Sequence, residues 1–364
     1  MSTPCKSHPS SPSTTPPISP SIETPSSPTP TTTTTTPSSP TKAQAAFDSL
    51  ISILPTPPSA LTSFSSSPTS LLLLTSPEIS NQICSLLRKP SSGSGDNHLC
   101  RWLYDTFHSS DPSLQLTVIR FVPLITGLYL TRITHRQRQP LAGFEAILLA
   151  LYAHETTARN NQPTTVTVPD LSHPSIYHES SSPQRNNSTD LNIAVISPSL
   201  EPHRTVRSTR RARIVGVALE LYFSKIWVMP LGSKLDFCDF LDEWAGPYCY
   251  HDKDEDEEDE EDNSDGSHLS GEENEGRILL PWELLGPCLR ILGHCLLGGE
   301  KGEKSLLLRE KAHKACKSLY SRAMHDVNPK AILAVGSLLR LVKMEKQIDE
   351  VDYTEIKSSN IISI

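Results

Sequence analysis

The sequence predicts an all-α fold, a bundle-like helical domain built as one unit or as two lobes. Three observations predict it. Apolar residues recur at the i, i+3, i+4 spacing of a buried helical stripe over most of residues 43–345. Capping residues followed by proline punctuate those stripes at short intervals. One region alone, 157–203, breaks the rhythm. There Thr165-Val166-Thr167-Val168 alternates and Ile193, Val195 and Ile196 come after it, which predicts a short β ribbon near 164–197.

The chain opens on a segment that cannot enter a core. Residues 1–42 hold 11 Pro and 23 Ser or Thr, and only Ile18 and Ile22 are large aliphatics. Such a segment buries too little apolar surface to offset its ordering entropy, so it reads as a disordered tail. Its hydroxyls also suit a plastid transit peptide, against which stand the lack of Arg and of an amphipathic face. Recurring Ser-Pro and Thr-Pro pairs make it a substrate for proline-directed phosphorylation.

Helices then succeed one another. Ala46, Phe47, Leu50, Ile51 and Leu54 form the first stripe, ended by Pro55, Pro57 and Pro58. Ser76-Pro77-Glu78 reads as an N-cap with Pro at the first helical position, ahead of Ile79, Ile83, Leu86 and Leu87. Asp96 is the expected cap of the next helix, with Leu99, Trp102, Leu103 and Phe107 inward. Asp111-Pro112 repeats the cap signal before a long apolar helix from Leu114 to Tyr129, with a kink expected at Pro123. Pro140 opens another, carrying Phe144, Ile147, Leu148, Leu151 and Tyr152. Beyond the ribbon, 214–228 is apolar enough for a second central helix, ended by Pro230 and Gly232. Leu235, Phe237, Cys238, Leu241 and Trp244 mark the next, and 280–297 and 303–325 two more. Asn328-Pro329 caps the last, with Ile332, Leu333, Val335, Leu338, Leu339 and Val342 inward, and 346–364 is left as a C-terminal tail.

An acidic insert interrupts this series at 251–276. Residues 252–275 alone hold 14 Asp or Glu and one Lys, a net of −13 that favours an extended, solvated, disordered segment. The whole chain carries −8, so the other 340 residues carry +5. A mildly basic body suits an acidic partner or an anionic membrane surface, or is simply a mixed-charge surface. The eight cysteines form no Cys-x-x-Cys pair and sit mostly in apolar runs, as small core residues do in a reducing compartment. Charges interrupt every apolar run before the ~20 residues that a membrane-spanning helix needs, so membrane association is expected to be peripheral.

The reactive constellations tested all fall short. Gly293 to Gly298 lacks a lysine directly after its second glycine and sits behind a helical run, unlike a phosphate-binding loop. His313 and Cys316 share a helix face, but no second pair has the spacing that zinc needs. No Gly-x-Ser-x-Gly elbow occurs. His154-Glu155 and His178-Glu179 are adjacent pairs, whose side chains diverge in helix and strand alike. Five arginines in ten residues, Arg204, Arg207, Arg210, Arg211 and Arg213, are the strongest charge feature. On one helix Arg207, Arg210 and Arg211 would share a face beside Ile214. Contact with anionic lipid or an acidic partner, a nucleic-acid or nuclear-import patch, and a solvated helix start all remain open.

The most specific stretch is Val168-Pro-Asp-Leu-Ser-His-Pro-Ser-Ile-Tyr-His-Glu179, too rich in Pro for a helix or central strand yet supplied with apolar anchors. Its core, Pro174, Ser175, Ile176, Tyr177, His178 and Glu179, closely resembles the signature of the hyccin family. Phe121 to Leu130, Phe144 to Tyr152 and Ile214 to Pro230 resemble that family's helices more loosely. The resemblance covers roughly 45–345. It implies an all-helical, non-catalytic subunit of the plasma-membrane phosphatidylinositol 4-kinase type III alpha complex. Such a subunit docks on a tetratricopeptide-repeat scaffold, which links it to the kinase and to a membrane-anchoring helical-repeat protein. It implies no catalytic residue, no cofactor, no metal and no nucleic-acid partner, with residence in the cytosol and at the plasma membrane. Animal members carry their low-complexity tail after the helical domain. Here the tail comes first and an acidic insert is added, which points to a plant-type member. The competing readings are a nuclear or chromatin-associated adaptor, using the arginine cluster and the acidic block, and a plastid enzyme.

Overall fold

The computed structural model describes residues 41–56, 69–134, 139–169, 191–246, 282–298 and 302–350. Among them are twelve α-helices and a two-stranded ribbon. The described residues are those of an all-α protein with one β appendage, as the apolar periodicity predicts. The tail through residue 40, the acidic insert, the residues beyond 350 and the loop Pro174–Glu179 lie outside them.

The N-terminal half holds α1 (Lys42–Ile51), α2 (Thr69–Thr75), α3 (Pro77–Arg88), α4 (His98–His108), α5 (Pro112–Ile119), α6 (Val122–Thr134) and α7 (Ala142–Arg159). Ser76 and Asp111 cap α3 and α5 as expected, each accepting from a backbone N–H of the first turn, Ile79 at 3.4 Å and Ser113 at 2.8 Å. The cap of α4 is Asn97, which accepts from Cys100 N at 2.9 Å, and not Asp96. Asp96 instead takes the hydroxyl of Ser94. The seven-residue α2 is an addition to the expected series. The long helix expected from 114 to 129 is two, α5 and α6, bent by 42° at residues 120–121. Pro123 is the second residue of α6, a place where its missing N–H breaks no helical bond.

Two buried arginines close helix ends here. Arg120 donates to the carbonyl of Leu74, at the end of α2. Arg132 donates to the carbonyls of Leu87, in the last turn of α3, and of Lys89 and Ser92, just past it, and lies over the Phe144 ring at 4.9 Å. A cation at a helix C-terminus meets both the unpaired carbonyls and the negative dipole end. Gly93, at φ +82°, makes the turn that lets the chain pass Pro140 and Phe144.

The ribbon is β1 (Thr164–Pro169) paired antiparallel with β2 (Leu191–Ser197), with a bulge at Thr164/Thr165. The C-terminal half holds α8 (Ser208–Ser224), α9 (Leu231–Ala245), α10 (Leu285–Leu297), α11 (Glu303–His325) and α12 (Pro329–Glu350). Helix α8 is buried from Ala212 to Tyr222 apart from half-buried Arg213, as a central helix should be. It ends at Ser224. Pro230 caps α9 and Gly232 lies in the first turn of α9, so neither residue terminates α8. Asn328 caps α12 through Ala331 N at 3.1 Å, and α12 runs past the expected boundary at 345 to Glu350. Leu333, expected inward, is exposed.

One cluster of buried side chains extends from Phe47 to Val342. The described helices therefore share a single core and do not form two lobes. Helices α6, α8 and α9 form its centre, with α7 and α4 packed on one side and α10, α11 and α12 on the other.

Candidate functional site

The ribbon is the element that the core does not need. A two-stranded ribbon is marginal on its own in water. Its side chains are exposed on both faces, with Val166 and Val168 at 42%, Val195 at 60% and Ile193 at 72%. Five β-branched aliphatics, counting Ile196, stand in solvent on one short hairpin that carries the Pro174–Glu179 loop between its strands.

Its root, in contrast, is tied down by charge. Ser197, the last residue of β2, donates its hydroxyl to Glu220 Oε2 at 2.8 Å. Arg159, at the end of α7, donates to the same carboxylate oxygen at 3.0 Å and to Ser197 Oγ at 2.8 Å. Arg290 of α10 reaches Glu220 Oε1 at 3.5 Å, and Glu155 holds Arg159 at 2.8 Å from one turn earlier. Arg213 of α8 donates to Ser197 Oγ at 3.1 Å and to the carbonyl of Pro198 at 2.8 Å. Glu220 is only 8% exposed, and two guanidinium groups and a hydroxyl stand where its water would be. Desolvation, partly offset by Glu220, holds the Arg290 guanidinium below its ordinary pKa. Three helices, α7, α8 and α10, thus converge on the foot of the ribbon.

The segment from the ribbon to α8 is also held. Leu200 is buried, Tyr152 Oη donates to the carbonyl of Glu201 at 2.8 Å, and the Tyr152 and His203 rings stack at 5.1 Å. This packing sorts the arginine cluster. Helix α8 starts at Ser208, so Arg207 is its N-cap residue, in extended backbone, and does not join Arg210 and Arg211 on a helical face. Arg204, Arg207 and Arg210 are exposed, and Arg210 donates to His203 Nδ1 at 2.6 Å. Arg211 turns inward to Tyr129 Oη at 3.1 Å, and that hydroxyl donates to Glu145 at 3.1 Å. Burial pushes the Tyr129 phenol up to about 12, against the opposing pull of Arg211.

The six residues of the Pro174–Glu179 loop lie outside the described residues, so the structure fixes only the strands that present them. Glu220 interrupts the apolar run 214–223, which is the one sign of this network in the sequence; its partners carry none.

No group of three or more His, Cys, Asp or Glu side chains able to hold a metal ion occurs among the described residues. Cys288, Cys295 and Cys316 are buried, and His294 sits between Lys234 at 3.2 Å and the Trp227 ring. No single described helix is long and apolar enough to cross a membrane. The bent pair α5 and α6 would be apolar enough together, but its Leu114, Val118, Phe121, Val122, Ile125 and Tyr129 are core residues.

A family model described as Hyccin matches residues 65–361, a span that takes in α2 through α12, the ribbon and the loop it carries. Matched over well more than half its length, the chain belongs to the hyccin family.

Proposed function

We propose that the chain is a non-enzymatic accessory subunit of a plasma-membrane phosphatidylinositol 4-kinase type III alpha complex. It docks on a tetratricopeptide-repeat scaffold, stabilises it, and so supports phosphatidylinositol 4-phosphate synthesis by the kinase partner. Attachment to the membrane is peripheral, through the scaffold and a membrane-anchoring helical-repeat subunit. The observation that carries the reading is the membership of the hyccin family together with an apolar hairpin that nothing in the described fold covers. Fully burying an aliphatic of this size is worth about 1.5–3 kcal/mol; these five are 39–72% exposed, so covering what remains is worth roughly 1–2 kcal/mol each, a gain that offsets part of the cost of association. A hairpin rooted by the Glu220 network meets a partner already ordered, which lowers that cost further.

The nuclear-adaptor reading is weaker on this geometry. Arg211 and Arg213 are engaged inside the fold, leaving three exposed arginines in place of five.

The test is co-expression of the full chain with a candidate repeat scaffold and the kinase, against the Ile193→Asp, Val195→Asp double variant. Both side chains are exposed, so the variant should fold with stability within about 0.5 kcal/mol of the parent. The parent should co-purify with scaffold and kinase, and the variant should lose at least ~10-fold in yield of complex, one decade being about 1.4 kcal/mol. A parent chain that stays monodisperse and indifferent to the scaffold would refute the reading.

A further inference from the structure

The arginines ahead of α8 and the acidic block are the two strongest charge features of the chain, and both fall outside the accessory-subunit role. Arg204, Arg207 and Arg210 are exposed, and no ion pair among the described residues engages any of them. The bond from Arg210 to His203 Nδ1 matches a hydrogen and not a charge, since an imidazole nitrogen that accepts is uncharged. Glu201, the nearest acid in the sequence, forms no ion pair with them. Arg207 also caps α8 without a side-chain bond to the first-turn amides. Three cations therefore stand at the positive end of a 17-residue helix, where a carboxylate is the favourable neighbour and a cation the unfavourable one. The charge that complements this face is an anion, and among the described residues none supplies it.

The chain itself holds one large source outside them. Residues 1–40 contain a single acid, 170–190 three acids and one Arg, and the residues beyond 350 two acids and one Lys, whereas 252–275 carries −13. The two ends of that block are fixed beside α8. The Trp244 and Trp282 rings lie 6.3 Å apart, so the chain leaves the fold and re-enters it at one place. Two residues on, Leu284 packs on α8 at Gly216, where an added Cβ would lie 3.3 Å from Leu284 Cδ2. Gly216 is six residues along α8 from Arg210, a rise of ~9 Å. Seven residues separate Glu275 from Trp282, and a chain of that length reaches up to ~25 Å. Glu272, Glu273 and Glu275 are thus within reach of the arginines, with the unbroken acidic run from Asp254 to Asp262 behind them.

An anionic bilayer is a poorer occupant of this face, because it would meet the −13 block anchored beside the arginines and be repelled by it. A tethered block also acts at an effective concentration of about 1 mM, which any external ligand has to exceed. We propose that the acidic insert is the partner of the Arg204, Arg207 and Arg210 face, an intramolecular contact that withholds these arginines from external anions. The contact needs neither scaffold nor kinase, so it stands or falls separately from the accessory-subunit reading.

The test compares the full-length parent with a variant in which the 14 acids of 252–275 are replaced by their amides. The probe is a fluorescent synthetic peptide of residues 252–275, followed by anisotropy. For an intrinsic Kd of about 0.1 mM, removing a tethered competitor at about 1 mM should tighten the apparent affinity for the peptide about tenfold. Adding Arg204→Gln, Arg207→Gln and Arg210→Gln to the amide variant should abolish that binding without lowering the thermal midpoint, since all three side chains are exposed. Phenylglyoxal labelling of the same three arginines, read by peptide mass spectrometry, supplies a measurement without added ligand. The parent should label slowly in about 0.15 M salt and several-fold faster in about 1 M, and the amide variant should label fast in both. The inference is overturned if the amide variant binds the peptide no better than the parent, if the triple arginine change leaves that binding intact, if parent and amide variant label alike, or if phosphatidylserine vesicles capture the parent through these arginines as strongly as they capture the amide variant.

Discussion

Glu220→Gln is the sharpest perturbation of the ribbon root. The amide keeps the shape of the carboxylate and removes its charge. Arg159 and Arg290, 13% and 27% exposed, are then left facing each other without the anion that joined them. Breaking a fully buried pair costs about 3–5 kcal/mol. Arg159 keeps its pair with Glu155 and Arg290 retains some contact with water, so the expected loss is about 2–3 kcal/mol. With a urea slope of about 3 kcal/mol/M, the unfolding midpoint should fall by roughly 0.7–1 M. The loss should also be visible locally. If the ribbon opens on its own more often by about 2 kcal/mol, amide exchange across 164–168 and 192–197 should speed up about 30-fold. Ser197→Ala removes a hydroxyl bonded to Glu220, Arg159 and Arg213, and should give a smaller shift of about 1–2 kcal/mol in the same direction. A Glu220→Gln midpoint unchanged within error, with ribbon exchange also unchanged, would refute the claim that this network holds the hairpin.

The core supplies three more outcomes. Gly93→Ala places a Cβ 2.7 Å from the Pro140 carbonyl and 2.9 Å from the Phe144 ring at φ +82°; it should cost about 2–3 kcal/mol, read as a lowered thermal midpoint. Burial pushes the Cys84 thiol up to about 11 and the Cys316 thiol up to about 12, so a thiol reagent at neutral pH should leave both unlabelled in the folded chain and label both in urea. Burial, and secondarily the Lys234 amino group, hold the His294 imidazole below its ordinary 6.5. The unfolded chain therefore takes up that proton first: this contribution is complete above about 6.5 and declines as pH falls below it, toward the lowered folded value. His294→Gln should flatten the slope of the urea midpoint against pH between neutrality and about 5.

The features legible in the sequence are local ones. Ser76-Pro77, Asp111-Pro112 and Asn328-Pro329 announce three helix starts because an N-cap and a first-turn proline act through adjacent residues. The Thr-Val alternation announces β1 for the same reason. Helix α2 is hidden because seven residues with four consecutive leucines have no period to detect. The bend between α5 and α6 is legible as the kink expected at Pro123, which cannot continue the α5 ladder; the bond from Arg120 to the Leu74 carbonyl, 46 residues earlier, is not legible. Spacing cannot place Arg207 on or off a helix, since the first turn of α8 starts one residue after it. Glu220 is visible as a charge in an apolar run, but Arg159 lies 61 residues away and nothing in the string joins them. The loop from Pro174 to Glu179 remains a sequence-level feature, carried on strands the structure does describe.

Among the described residues, Arg132 is a cation matched by carbonyl oxygens and not by an acid. Its guanidinium is held by three backbone oxygens, the Ser92 hydroxyl and the face of Phe144. None of those groups titrates, so acidification offers no proton that could unfasten this joint. Lysine would be a poor replacement, because an ammonium at a single point cannot answer oxygens spread around a fork. The chain's first helices are thereby fastened to α6 by a clasp indifferent to acid, and Arg132→Lys should loosen it at every pH.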